Sequence, residues 1–213
     1  MKRTIAIAAL CAGIMLTTFP CQAKESGNVK INSKNFPDTI VREYVSEKID
    51  KNNDGYLSKK EISAVKTIII DKNNLYWENK DKPKEDYEII DCKGLEIFTN
   101  VEKVKLTTYC DTYVSEYGNI KNIKVLTKLT KIKNLEISGV NNSNYDFTKL
   151  NNLERLCIKS TKLKKLNLSK NVKLKNLKLA YNPLLKKINL TKNKNLERIN
   201  LYGSGVKKIT LGK

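Results

Sequence analysis

The sequence has no histidine. That absence removes the commonest general base, the Ser-His-Asp and Cys-His nucleophile systems, and zinc sites that need an imidazole. Neither a glycine-rich phosphate cradle nor a G-x-S-x-G elbow occurs. The catalytic chemistry left open is a carboxylate pair cleaving a glycoside, and the favoured reading is a protein that is not an enzyme. Cysteine is scarce, at five residues. Long apolar runs are scarcer: residues 4–19 form the only one, 16 residues against about 20 needed to span a bilayer. It follows Lys2 and Arg3 and precedes a small-residue site, CQA, at 21–23. This is the pattern of a secretory signal peptide cleaved after Ala23, so the mature chain is expected to be exported and soluble. Cleavage leaves Cys92, Cys110 and Cys157. Three cysteines make no disulfide framework, although Cys92 and Cys110 could bridge.

Acidic residues are the other shortage, 22 against 41 Lys and Arg. Loss of Lys2 and Arg3 lowers the formal charge from +19 to +17. Such a surplus suits acidic partners such as anionic cell-wall polymers or sulfated glycans, and nucleic acid fits less well. A blander source competes: Lys, Asn and Ile are all abundant, as an AT-rich genome would give, and Lys readily fills solvent-facing positions.

What the chain has in plenty is a repeat. The spacing L-x-x-L-x-L, read for Leu, Ile or Val, occurs six times in succession from Leu153 to Leu211. Successive copies start at Leu153, Leu163, Leu174, Leu185, Leu196 and Val206, so every second copy recurs at 21 or 22 residues. The alternating apolar pair marks a strand with one buried face, and the leading Leu anchors the preceding bend. One unit cannot bury its own edge, whereas stacked copies can. Earlier triplets, Val65/Ile68/Ile70, Val101/Val104/Leu106 and Ile132/Leu135/Ile137, follow the same pattern at disturbed intervals. Around Leu174 the pattern extends to L-x-x-L-x-L-x-x-N-x-L, with Asn182 in the polar slot. Here the sequence resembles the leucine-rich-repeat family in its bacterial form of about 21 residues per turn. The resemblance implies a mainly β solenoid with a parallel concave sheet. It also implies an Asn182 side chain bonded to backbone in the bend, while Thr161 and Ser204 replace Asn at the matching positions.

Residues 24–64 read as a small helical cap. Ile40, Val41, Tyr44, Val45 and Ile49 recur at helical spacing after Pro37 and Asp38. Then DKNNDGYLSKKE at 50–61 fills each slot of a twelve-residue EF-hand loop. Calcium takes six to eight oxygens, and Gly55 permits the turn that converges them. The expected ligands are Asp50, Asn52, Asp54, Tyr56 through its carbonyl, Ser58 and Glu61. The same Ser58-x-x-Glu61 is also a capping box that would start a helix with no metal. One loop alone points to a structural ion and not to a switch. An exported chain with NFPD at 35–38, a helix, this loop and then repeats resembles the internalin-like surface proteins of Gram-positive bacteria. The likeness covers residues 35–213, and residues 94–101 (GLEIFTNV) also look like the start of those proteins' repeats.

Insertions are expected near 71–91, around Trp77 and Pro83, and near 107–131, which holds three tyrosines. They are either binding loops or plain surface excursions. Strand alternation names the exposed positions of the concave sheet: Lys103, Lys105, Asn134, Glu136, Arg155, Cys157, Lys159, Asn176, Lys178, Arg198, Asn200 and Tyr202. Six are basic and one acidic, which predicts an electropositive face. The function expected is a secreted or cell-surface recognition module that binds protein or glycan there. The alternative is a surface scaffold with no discrete ligand. The last triplet, Val206/Ile209/Leu211, predicts a terminal turn that frays or pairs weakly with a second copy.

Overall fold

The computed structural model describes residues 27–72, 89–108, 110–111 and 116–212. The leader expected at 1–23 and the stretch around Trp77 lie outside these residues. The cap comes first: β1 (Val29–Lys30), α1 (Thr39–Lys48), β2 (Tyr56–Leu57) and α2 (Lys59–Ala64). The repeats follow with β3 (Thr67–Asp71), β4 (Ile89–Asp91), β5 (Lys103–Thr107), β6 (Cys110–Asp111), β7 (Glu116–Tyr117) and β8 (Asn119–Lys121). They continue with β9 (Asn134–Val140), β10 (Asn144–Asp146), β11 (Arg155–Thr161) and β12 (Lys165–Asn167). The last four are β13 (Asn176–Lys178), β14 (Lys187–Leu190), β15 (Arg198–Asn200) and β16 (Lys208–Leu211).

Alternate apolar triplets feed two different faces. Six strands pair parallel in the order β3-β5-β9-β11-β13-β15, in register without a slip: Thr67 beside Lys103, Lys103 beside Asn134, Asn134 beside Arg155, Arg155 beside Asn176, Asn176 beside Arg198. A narrower column of parallel pairs, β4-β8, β10-β12 and β14-β16, runs on the other side. Between them lies one core in which each turn contributes a stacked rung, such as Ile68 and Ile70, Val104 and Leu106, Leu135 and Ile137, Leu156 and Ile158, Leu177 and Leu179. This is a leucine-rich-repeat solenoid. Part of the stretch expected as an insertion at 107–131 follows the turn geometry, since β8 pairs with β4, and 3-10 segments at Leu95–Ile97 and Ile123–Lys128 contact each other.

Polar groups close the bends. Asn182 donates to the carbonyls of Ile158 and Ala180 and accepts from Thr161, as the resemblance implied. A second amide column, at the same offset after the Leu163 and Leu185 triplets as Asn182 has after Leu174, closes the other bend. Asn171 bonds Phe147 and Leu150 carbonyls, and Asn193 bonds those of Leu168 and Asn171. Ahead of each main strand one carbonyl accepts two N–H groups from the next turn: Lys66, Glu102, Lys133, Glu154 and Lys175 all do so.

The cap shuts the open edge of β3. Phe36, Ile40, Val41, Val45 and Ile49 of the cap are buried in the common core. The Tyr44 hydroxyl donates to the Thr67 carbonyl and accepts from Ile69 N–H, both at 3.3 Å. An exposed strand edge, which otherwise invites pairing with another chain, is thereby occupied. Asp38 is the hub. It caps α1 at Val41 N–H, accepts Asp91 N–H at 2.9 Å, and pairs at 2.7 Å with the buried Lys72 ammonium. Gly94 lets residues 94–101 lie against the cap, since a Cβ there would sit 2.4 Å from the Asn35 carbonyl and 2.5 Å from the Phe36 ring.

Candidate functional site

Ten of the twelve positions expected on the concave sheet line one groove across β5, β9, β11, β13 and β15. The inner residues of β5, β9, β11 and β13 are apolar and buried, and Ile199 of β15 keeps the same phase at 40% exposure, so period-two alternation turns these ten outward. Lys159 and Tyr202 stand outside it. Lys159 lies one pleat further along β11, where its ammonium meets Glu136 at 2.8 Å. β15 ends at Asn200, whose side chain accepts Tyr202 N–H and turns the chain away. Tyr202 instead packs edge-on against Tyr181, ring centroids 5.3 Å apart, with both rings exposed.

The expected electropositive face needs correction in part. Asp71, at the end of β3, pairs with Lys105 at 2.6 Å, and Glu136 pairs with Lys159. The Asp71 carboxylate lies one residue beyond the Ile68/Ile70 pair that marks the strand in the sequence. Among the described residues, positive charge without such a partner therefore runs along the face at Lys103, Arg155, Lys178 and Arg198. Cys157, in the centre of the groove, is a half-buried free thiol, and burial pushes its pKa up. Cys92 is also free, so the bridge to Cys110 considered above is not formed. Its burial, with Asp91 and Asp38 nearby, holds that thiol far above the usual range and makes it a core residue. The Cys110 side chain lies outside the described residues.

The loop at 50–61 folds around its own amides. Asp50 is 3% exposed and accepts Gly55 N–H at 2.9 Å and Asp54 N–H at 3.3 Å. Asn52 accepts Asp54 N–H, and Asp54 accepts Tyr56 N–H at 2.8 Å. Gly55 takes φ 77° and Asn53 φ 54°, the left-handed bends that turn these oxygens toward one another. β2 then pairs antiparallel with β1 and fixes the loop's far side. The helix-start reading of Ser58 and Glu61 is realised. Ser58 Oγ accepts Glu61 N–H, and Glu61 Oε2 accepts Ser58 N–H at 2.9 Å. Glu61 Oε1 reaches back to Lys51 N–H at 2.8 Å. Burial pulls the Glu61 carboxyl upward, but the hydrogen bonds from Ser58 and Lys51 outweigh it and hold the pKa below the ordinary value.

Among the described residues no three acidic, histidine or cysteine side chains converge into a ready metal cluster. The donor set nevertheless fits a hard cation. It is all oxygen, and the buried Asp50 carboxylate has only N–H groups and no Lys or Arg as partners among the described residues.

No protein-family model and no curated protein matches the sequence. Among solved structures the chain is similar to the functional domain of InlJ from Listeria monocytogenes, at 19% identity and a TM-score of 0.41, covering 55% of this chain and 30% of that one. It is similar to an internalin (inlF) of Listeria monocytogenes, at 15% identity and TM-score 0.40, over 87% of this chain and 65% of that one. It is also similar to an internalin C2 (inlC2) of the same organism, at 15% identity and TM-score 0.38, over 82% and 97%. The chain thus spans 30% of the InlJ domain and 65% of the inlF chain. At these identities the likeness concerns the fold.

Proposed function

We propose that this is an exported, internalin-like recognition module that binds a protein or glycan on the outward face of the six-stranded sheet. The supporting observation is the groove itself, in which side chains from five strands stand in unbroken register and four of them keep a positive charge without an acidic partner among the described residues. A parallel sheet in a solenoid fixes the backbone beneath such side chains, which lowers the entropy lost on binding. The test is a screen against host surface proteins and anionic polysaccharides with wild type and the triple variant Arg155→Glu, Lys178→Glu, Arg198→Glu. A ligand held by the first and released by the second is expected. A ligand indifferent to the triple change would place binding off this face, and no ligand at all would return the chain to the scaffold reading.

Calcium in the cap loop belongs to the same proposal. Asp50, Asn52, Asp54, the Tyr56 carbonyl, Ser58 and Glu61 would hold it, and the ion would lock the loop between α1 and α2. Affinity near 10⁻⁴–10⁻³ M is expected, typical of extracellular sites. At about 100 times the dissociation constant the gain is roughly 2.7 kcal/mol. Thermal melts with calcium and with chelator check it, and Asp50→Asn should erase the difference.

A further inference from the structure

The excess charge of this protein is confined to one end. Residues 155–213 carry seventeen Lys or Arg and one acid, Glu197, whereas residues 27–154 carry twenty-one and twenty. A lysine-rich genome would act on both stretches alike, so the asymmetry asks for a local cause. Most of the surplus does not lie on the six-stranded sheet. Its largest share, eight of the seventeen cations, stands on the narrow column across the core.

Lys164 and Lys165 open β12, Lys186 and Lys187 open β14, and Lys207 and Lys208 open β16. Lys187 stands beside Lys208 in register, and β12 contacts β14 on the other side. Paired parallel strands such as β14 and β16 lie about 4.8 Å apart, and β12 packs next to β14, so three lysine pairs follow one another, one per turn. Lys170 and Lys192 follow the far ends of β12 and β14, giving the column a second basic row. All eight are exposed. Lys186 donates to the Pro183 carbonyl. None of the eight has a carboxylate within ion-pairing distance among the described residues.

The sheet side is built differently. There four lysines meet acids, Lys105 with Asp71, Lys133 with Glu102, Lys159 with Glu136 and Lys175 with Glu154, while Lys103 and Lys178 do not among the described residues. The last acid on the narrow column is Asp146, one turn before the basic rows begin, and Thr148 caps it.

We propose that this column is a binding track for a linear polyphosphodiester. Its cations are all lysines, compact point charges that suit phosphate without demanding the planar fork geometry of Arg. No aromatic side chain stands on β12, β14 or β16, so the column has no platform for stacking bases. What it can read is charge carried continuously along a polymer backbone. The flexible lysine stems can adjust a fixed spacing between turns to the spacing of successive phosphates. The track faces away from the groove proposed above, so it can be engaged while that groove holds its own ligand.

The experiment uses an immobilised glycerol-phosphate oligomer as probe, with binding measured over a series of salt concentrations. Three triple variants accompany the full chain. Lys165→Gln, Lys187→Gln, Lys208→Gln should weaken binding roughly tenfold and flatten the salt dependence by about two units of slope, near 0.7 for each phosphate no longer neutralised. Lys165→Arg, Lys187→Arg, Lys208→Arg should retain binding, which separates loss of charge from loss of fold. Arg155→Gln, Lys178→Gln, Arg198→Gln on the sheet should bind the oligomer as wild type does. Equal losses from the two Gln-bearing triples would mean diffuse attraction and overturn the proposal. So would no binding at low salt, or tighter binding of heparin, whose charges are sulfates hung from a sugar chain.

Discussion

Asp38 and Asn182 do the same job at opposite ends of the molecule. Each is a polar side chain at a bend, and each gathers groups from neighbouring turns that would otherwise be buried without partners. Asp38 does it with a charge, taking Val41 N–H, Asp91 N–H and the Lys72 ammonium, with the two charged side chains 5% and 2% exposed. Asn182 does it with a neutral amide, bonding Ile158, Ala180 and Thr161. A charged hub works once, because its counter-ion must be buried beside it. An amide can recur turn after turn, as Asn171 and Asn193 do on the other bend, since stacking it builds up no charge. The last turns therefore need no carboxylate inside, and their lysines stay on the surface.

Removing the hubs tests this contrast most severely. Asp38→Ala removes a carboxylate from beside the buried Lys72 ammonium and takes the acceptor from Val41 N–H and Asp91 N–H, and a loss of about 3–5 kcal/mol in urea unfolding is expected. Asp38→Asn should fall between, because Asn still caps the helix. Next in size is Asn182→Ala, expected to cost about 1–3 kcal/mol in all, because the Ala180 carbonyl keeps Ser160 N–H and the Thr161 hydroxyl keeps Leu163 N–H. If the two Ala variants lose equally, charged and amide hubs are equivalent and the contrast fails.

Salt offers a gentler probe. The acid-poor last turns repel themselves, so raising salt from low ionic strength should slow hydrogen exchange in β13–β16, an effect on the order of 1 kcal/mol or less. Exchange in α1 and β3 should not slow. The smallest effect expected is at Glu61. Its pKa is lowered in the fold, so its contribution is complete above the unfolded value near 4.3 and fades as pH falls through the folded one. The acid limb of a stability profile should accordingly be shallower in Glu61→Gln. An unchanged limb would show that the bonds to Ser58 and Lys51 matter little.

Much of this was legible because burial imposes a period. The triplets at Ile68, Val104, Leu135, Leu156, Leu177 and Ile199 each mark a strand of the main sheet, and Tyr44, Val45 and Ile49 mark one face of α1. Less legible were features that depend on which turn stacks on which. Asn171 and Asn193 sit 22 residues apart and fill the same Asn slot after the Leu163 and Leu185 triplets, but Lys173 and Asn195 stand where the full pattern closes on a Leu, which masks them. Asp71 neutralises Lys105 only because β3 and β5 pair without a slip. The long spacing between Val101 and Ile132 concealed β8 and the 3-10 segment after it, whose apolar residues Ile120, Leu126 and Leu129 are buried without forming an alternating strand. Tyr202 leaves the groove because alternation carries no sign that the strand stops at Asn200.

The carbonyls that accept two N–H groups ahead of each main strand belong to Lys66, Glu102, Lys133, Glu154 and Lys175, and the next residue in that file is Glu197. Their side chains alternate in sign without a break, and two adjacent pairs touch, Glu102 with Lys133 at 2.8 Å and Glu154 with Lys175 at 3.6 Å. The file therefore works as a parity check on assembly. A turn that docks one place out of order sets like charges side by side, while an error of two places restores the match. Identical leucine rungs cannot supply that distinction, because every rung fits every other. The same rule would govern growth of the array by duplication: turns added in pairs keep the alternation, and a single added turn breaks it.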